Sequence, residues 1–189
     1  MMQGSPRERL RELILEKSVV RGRVTLSSGR EADYYIDLRR VTLHHEGAPL
    51  VGHLLLEQLA AQGLGPGKVD AVGGLTLGAD PVASALLHAA AARGRDLDAF
   101  VVRKEVKEHG MQRRIEGPDV AGRKVVVVED TSTTGASALT AVEAVREAGG
   151  NVLAVAVIVD RNTGAREAVE ALRLPYIYLY RLAELGLES

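Results

Sequence analysis

At 189 residues, with a formal net charge of -1, 46% hydrophobic residues and no cysteine, the chain is long enough for one domain with a substantial core, and disulfides, cysteine nucleophiles and thiolate metal sites are excluded. A general nucleic-acid binder normally carries a basic excess, which is missing here, so any basic site must be local. One Phe, five Tyr and no Trp imply an aliphatic core, and with no apolar run near 18 residues and no signal-peptide h-region, the expectation is a soluble, cytoplasmic protein without a membrane partner.

Leu10, Leu13 and Ile14, spaced among charges between Pro6 and Lys17, predict an amphipathic surface helix. Val19 to Thr25 and Tyr34 to Val41 read as strands around the Ser27-Ser28-Gly29-Arg30 turn, and Pro49 to Ala61 reads as a helix with proline near its first turn. A regular alternation follows: strand near Val69 to Val72, helix Pro81 to Arg93, strand Ala99 to Arg103, strand from Val125, helix Ala138 to Ala148, strand Val152 to Asp160, helix Ala165 to Leu172, strand Tyr176 to Tyr180. Repeated βα units imply an α/β fold, a central parallel sheet with helices on both faces. The expectation is a single domain over residues 1–189, in which about 1–42 form a small N-terminal cap over the carboxyl edge of the sheet and about 43–189 form the α/β core.

The most informative stretch is Val125 to Ser137. Four valines fit a strand buried on both faces, and Glu129-Asp130 end it. Thr131-Ser132-Thr133-Thr134-Gly135-Ala136-Ser137 then supplies hydroxyls and exposed amides where the chain turns into a helix. A helix N-terminus carries about half a positive charge and unpaired N–H donors, which suits a phosphate monoester. Two acids would repel a bare phosphate, but they can accept hydrogen bonds from the vicinal hydroxyls of a ribose. Together they describe a ribose 5-phosphate site. The stretch lacks both the Gly-Lys-Ser/Thr ending of a Walker loop and a G-x-G-x-x-G fingerprint.

The second segment, Arg103 to Gly117, has neither helical nor strand periodicity, and a loop this long in a compact domain is usually a working part. Arg103, Lys104, Lys107 and His109 could fold onto a highly charged ligand, with Gly110 and Gly117 permitting hinge motion. His44, His45, His53 and His88 show no metal-ligand spacing with acids and read as structural. Tyr176, Tyr178 and Tyr180 alternate on one strand face and read as packing.

Apolar strand, acid pair and Thr/Gly-rich loop resemble the phosphoribosyl pyrophosphate (PRPP) motif of type I phosphoribosyltransferases. R-K-E-x-K-x-H-G followed by R-x-I-E-G, from Arg103 to Gly117, is similar to the mobile loop of the orotate phosphoribosyltransferase family. The likeness extends to Thr25-Leu26-Ser27-Ser28-Gly29-Arg30 with Tyr34-Tyr35, to Gly73 through Pro81 at the family's pyrophosphate loop, and to Val159-Asp160-Arg161. Ser27 departs from it by standing where many members carry a lysine, and Tyr35-Ile36 replaces the commoner Phe-Phe.

The resemblance implies a type I phosphoribosyltransferase fold with an N-terminal hood and transfer of the 5-phosphoribosyl group from PRPP to orotate in de novo pyrimidine (UMP) synthesis. It implies catalytic roles for Lys104, Lys107, His109 and Asp130. PRPP would be held by Arg103, Lys104, Lys107, His109, Glu129, Asp130 and residues Thr131 to Ser137, and orotate by Thr133, Arg161, Tyr35 and Ile36. It further implies Mg2+ held mainly through PRPP with no direct protein ligand, and a homodimer with shared sites. Two other readings stay open: a phosphoribosyltransferase for another base such as a purine, and a PRPP-binding nucleic-acid regulator. Arg161 and the basic loop speak against the former, since a neutral purine offers no carboxylate, and the near-neutral charge speaks against the latter.

Overall fold

A computed structural model of the chain describes residues 4–25, 31–65, 67–104 and 114–187. The chain opens with α1 (Pro6–Leu13), whose start is fixed locally: the Glu8 amide donates to Ser5 Oγ at 3.2 Å, and the Ser5 amide donates back to Glu8 Oε2 at 2.7 Å. The helix expected to reach Lys17 changes pitch after Leu13 into a wider turn over Ile14–Ser18. Strands β1 (Val19–Thr25) and β2 (Glu31–Ile36) then pair antiparallel as a separate two-stranded sheet.

The second strand does not run on to Val41 as its apolar content suggested. Asp37 ends it by turning the chain, accepting from the Arg39 amide at 3.3 Å and from Arg39 Nε at 2.9 Å, and residues Arg39–Thr42 form the short helix α2. Helix α3 (Gly47–Ala61) follows, and then the alternation begins: β3 (Ala71–Leu75), α4 (Ala79–Ala92), β4 (Asp98–Val102), β5 (Ile115–Glu116), β6 (Lys124–Ser132), α5 (Ala136–Glu147), β7 (Asn151–Asp160), α6 (Ala165–Glu170) and β8 (Tyr176–Arg181).

The six-stranded sheet has the order β5-β4-β3-β6-β7-β8 and is parallel except for β5, which lies antiparallel on β4. Why a sheet forms with helices on both sides is visible in β6. Val126 and Val128 point into one apolar cluster with Leu55 of α3 and Leu86 of α4, while Val125 and Val127 point into a second with Val142 and Val145 of α5. All four valines are fully buried, which is why they read as a continuous apolar run rather than an alternating one.

Helix α1 joins the first cluster through Leu10, Leu13 and Ile14, and it covers the β8 edge: Arg7 donates to the Leu179 carbonyl and the Tyr180 hydroxyl donates to the Arg7 carbonyl at 2.6 Å. At the other end of the chain, Leu187 is buried, and its carbonyl accepts from the hydroxyl of Tyr34 in the small sheet at 2.6 Å. The chain leaves β3 toward β4 on one side, whereas it leaves β6 toward β7 on the other. The carboxyl ends of β3 and β6, which are neighbours, therefore bound the crevice where open α/β sheets place ligands.

Candidate active site

A cleft of about 270 Å3 occupies that crevice, bounded by the β3–α4 turn, the end of β6, the first turn of α5 and the β2 end of the small sheet. Glu129 and Asp130 lie at its floor with only 6% and 8% of their surface exposed. They are packed against the backbone of the turn: a Cβ on Gly78 would collide with Glu129 Oε1 and come within 2.9 Å of Asp130 Oδ1. Glycine at 78 is therefore a condition for the acids to sit where they do.

Neither carboxylate has an ion-pair partner among the described residues, and their hydrogen bonds come from the next backbone amides, Asp130 N to Glu129 Oε1 at 3.3 Å and Thr131 N to Asp130 Oδ1 at 2.6 Å. Burial, followed by the charge of Asp130, pushes the Glu129 carboxyl up to about 8. Burial also raises Asp130, against the pull of the Thr131 amide and of the more distant Arg39. Two adjacent buried acids without an ion-pair partner among the described residues gain by accepting hydrogen bonds from neutral O–H donors or by meeting a cation brought in with a ligand. The hydroxyl of Thr131 lines the same cleft, and its buried oxygen has no hydrogen-bond partner among the described residues.

Beside the acids the chain turns into α5 through Gly135, at φ +82°, where a Cβ would also press to 3.2 Å from Ala165 Cα. The first backbone hydrogen bond of this turn runs from Leu139 N to Gly135 O, and no side chain caps the helix. The amides ahead of Leu139 are thus the unpaired donors of a 12-residue helix, at its positive end. Thr133, Thr134, Ala136 and Ser137 are exposed around them.

Of the expected site residues, the cleft brings together Tyr35, Ile36, Lys104, Glu129, Asp130, Thr131 and Ser137. Tyr35 is half exposed at the mouth, whereas Ile36 is buried and belongs to the core cluster. Thr133, Thr134, Gly135 and Ala136 stand in the adjoining loop and helix start. Arg161 follows the last residue of β7, half-buried, with its amide donating to the Ser132 carbonyl at 3.1 Å. Lys107 and His109, like Ser27, lie outside the described residues.

Three expectations change in detail. Thr131 and Ser132 are still strand, and the Ser132 hydroxyl, 4% exposed, turns inward to bond with the Tyr176 hydroxyl, so it is not offered to a phosphate. Arg103 is drawn to the other edge of the sheet, where its guanidinium meets Glu116 at 3.3 Å. Tyr176 does more than pack, because its hydroxyl also reaches Asp160 Oδ1 at 3.2 Å. Sequence reasoning placed Gly78 in the Gly73–Pro81 loop but missed its packing on the acids, and it missed the Tyr176–Asp160 pair; the one usable signal for the pair was an acid at 160 ending an otherwise apolar strand.

His44, His45, His53 and His88 line a separate cavity of about 900 Å3 with largely apolar walls between α3 and α4, next to the exposed Leu43 and Leu77. Among the described residues no three His, Cys, Asp or Glu side chains are grouped to hold a metal. This cavity is larger than the acid-floored cleft, but Asp80 is the one acid among its lining residues, so it offers no acid pair.

A parallel sheet with an acid pair and a helix N-terminus at its switch point defines an α/β protein that handles a phosphorylated sugar. Residues 41–173 match the family described as phosphoribosyl transferase domain. The orotate phosphoribosyltransferase of Streptomyces coelicolor is 64% identical over 183 residues, covering 96% of this chain and 98% of that protein. Among solved structures, Mycobacterium tuberculosis H37Rv orotate phosphoribosyltransferase in complex with Fe(III) dicitrate superposes with a TM-score of 0.86 at 60% identity, over 96% of this chain and 99% of that one. The same enzyme in complex with PRPP gives 0.82 at 55% identity, again over 96% and 99%. This chain belongs to the orotate phosphoribosyltransferase family.

Proposed function

We propose that the protein transfers the 5-phosphoribosyl group of PRPP to orotate, giving orotidine 5'-monophosphate and pyrophosphate, as a step of UMP synthesis. One observation carries the assignment to the cleft: a buried acid pair with no ion-pair partner among the described residues, beside the uncapped start of α5. The ribose diol donates to Glu129 and Asp130, while the 5-phosphate takes the amides between Thr133 and Ala138 and the hydroxyls of Thr131, Thr133, Thr134 and Ser137.

Breaking the anomeric C–O bond places positive charge on the ribose ring and negative charge on pyrophosphate, so the protein's task is to stabilise that separation. Lys104 in the cleft, joined by Lys107 and His109 of the loop, neutralises the departing pyrophosphate, while Arg103 stays with Glu116. Loop closure keeps out water, which competes as nucleophile. Orotate N1 then bonds to the anomeric carbon, with Arg161 pairing the orotate carboxylate through two parallel hydrogen bonds and Thr133 and Tyr35-Ile36 flanking the base.

The donor set fits Mg2+ taken up with the substrate, since two carboxylates stand together at the cleft floor without a cage of three acidic or histidine ligands among the described residues. When bound, the ion offsets charge on the pyrophosphate oxygens. We further propose a homodimer in which loop residues serve the neighbouring site, and a cytoplasmic location; no helix of the described residues is long and apolar enough to cross a membrane.

The decisive experiment is a spectrophotometric assay of orotate consumption with PRPP and Mg2+, run beside hypoxanthine and uracil. Orotate alone should be consumed, and turnover of hypoxanthine in its place would refute the assignment.

A further inference from the structure

Arg161 stands one residue past the end of β7, and its side chain can meet a substrate only if the turn that carries it is fixed. The next residue, Asn162, is left-handed at φ 54°, a conformation that asparagine tolerates but that a free turn has little reason to keep. Its amide donates to Asp160 Oδ1 at 3.0 Å. Asp160 is 1% exposed and has no ion-pair partner among the described residues. The same Oδ1 accepts from the Tyr176 hydroxyl at 3.2 Å, and that hydroxyl is also bonded to Ser132 Oγ. The ring closes through the backbone, where the Arg161 amide donates to the Ser132 carbonyl at 3.1 Å.

Donors and acceptors balance around this ring: the Tyr176 proton goes to the carboxylate, so the serine proton goes to the tyrosine oxygen. Burial raises Tyr176 far above its usual range, which keeps its hydroxyl a donor. Ser132 immediately precedes the phosphate loop, and Asp160 and Asn162 bracket Arg161. Three strands, β6, β7 and β8, meet at one phenol.

We infer that Tyr176 is a positioning residue that fixes Arg161 relative to the 5-phosphate loop, and so sets the spacing between the two substrates through Ser132 and Asp160. The inference rests on the proposed function, since it takes Arg161 as the orotate contact. A tyrosine serving only as packing would tolerate loss of its hydroxyl in kinetics and show the loss in stability alone. A positioning tyrosine would show it chiefly in the substrate held by Arg161, because the loop amides are independently fixed by Gly135 and α5.

The test is Tyr176→Phe in the full-length protein, with KM for orotate, KM for PRPP and kcat measured well below the melting temperature, and Arg161→Ala as reference for loss of the orotate contact. The orotate KM should rise about tenfold, the size of one lost hydrogen bond in a buried site, with the PRPP KM within about twofold of wild type. Ser132→Ala, which opens the same ring at its other end, should shift the orotate KM in the same direction and is read in place of Tyr176→Phe if that variant does not fold. A lower melting temperature with both KM values unchanged, or equal rises in both, would overturn the inference. A wild type that fails to consume orotate would instead overturn the proposed function, and this is separable from a wild type that consumes orotate and is indifferent to Tyr176.

Discussion

Replacing Glu129 by glutamine should make the ligand-free protein more stable in alkali and a poorer catalyst. In the folded chain this carboxyl is pushed up to about 8 by burial and by Asp130, from an ordinary value of 4.5. The folded form therefore keeps a proton that the unfolded chain releases, so its contribution to stability is complete below pH 4.5 and is lost as pH rises through 8. At about 1.4 kcal/mol per pH unit that interval caps the loss at about 5 kcal/mol, and sharing of the burden with Asp130 brings the expected figure to about 2 kcal/mol. Glutamine has nearly the same shape and no proton to lose. For a chain of this size the difference amounts to about 4–8 °C. Melting curves for both proteins at pH 5, 7 and 9 should converge in acid and separate in alkali, the glutamine form melting higher. Removing one charged acceptor from the ribose diol should lower kcat/KM for PRPP by about 10- to 100-fold. Parallel pH profiles for the two proteins would refute the claim that this acid is held, buried and uncompensated, in the free cleft.

Ligand binding should reverse the same perturbation. Diol donors and the accompanying cation favour the ionised acids, so PRPP with Mg2+ should release protons on binding between about pH 6 and 8, and bind more tightly as pH rises through this range; titration calorimetry in buffers of different ionisation enthalpy measures the release. Gly135→Ala combines a positive φ with the press on Ala165 and should cost about 1–3 kcal/mol of stability while raising the PRPP KM, with the orotate KM little changed in steady-state assays. If sites are shared between subunits, mixing Lys107→Ala with Asp130→Asn chains should restore activity to part of the dimer population, and no recovery would mean that each chain completes its own site.

Much of the architecture was legible because β6 is buried on both faces, which favours a run of β-branched apolar residues there, and because an acid pair followed by a run of hydroxyls is unusual at the end of such a strand. Lys104, Glu129, Asp130, Thr131 and Ser137 meet in one cleft because each sits at the carboxyl end of a strand or at the helix start beside it. What escaped reading depends on individual side-chain contacts, some within a turn and some across the sheet. Asp37 captures the Arg39 amide and converts an apolar strand pattern into a turn and helix, an effect local spacing does not display. Ser132 looks like one more loop hydroxyl until strand pairing sets it under Tyr176, 44 positions later. Gly78 reads only as part of the Gly73–Pro81 loop, because the acids it accommodates come from β6, a strand distant in sequence.

The bond from the Tyr34 hydroxyl to the Leu187 carbonyl ties the small sheet, whose β2 end borders the cleft, to a residue 153 positions later. Changes beside Leu187 therefore act on the anchorage of the small sheet. An affinity handle belongs away from Leu187, and turnover compared between differently terminated versions of the protein reports on the mooring as well as on the chemistry.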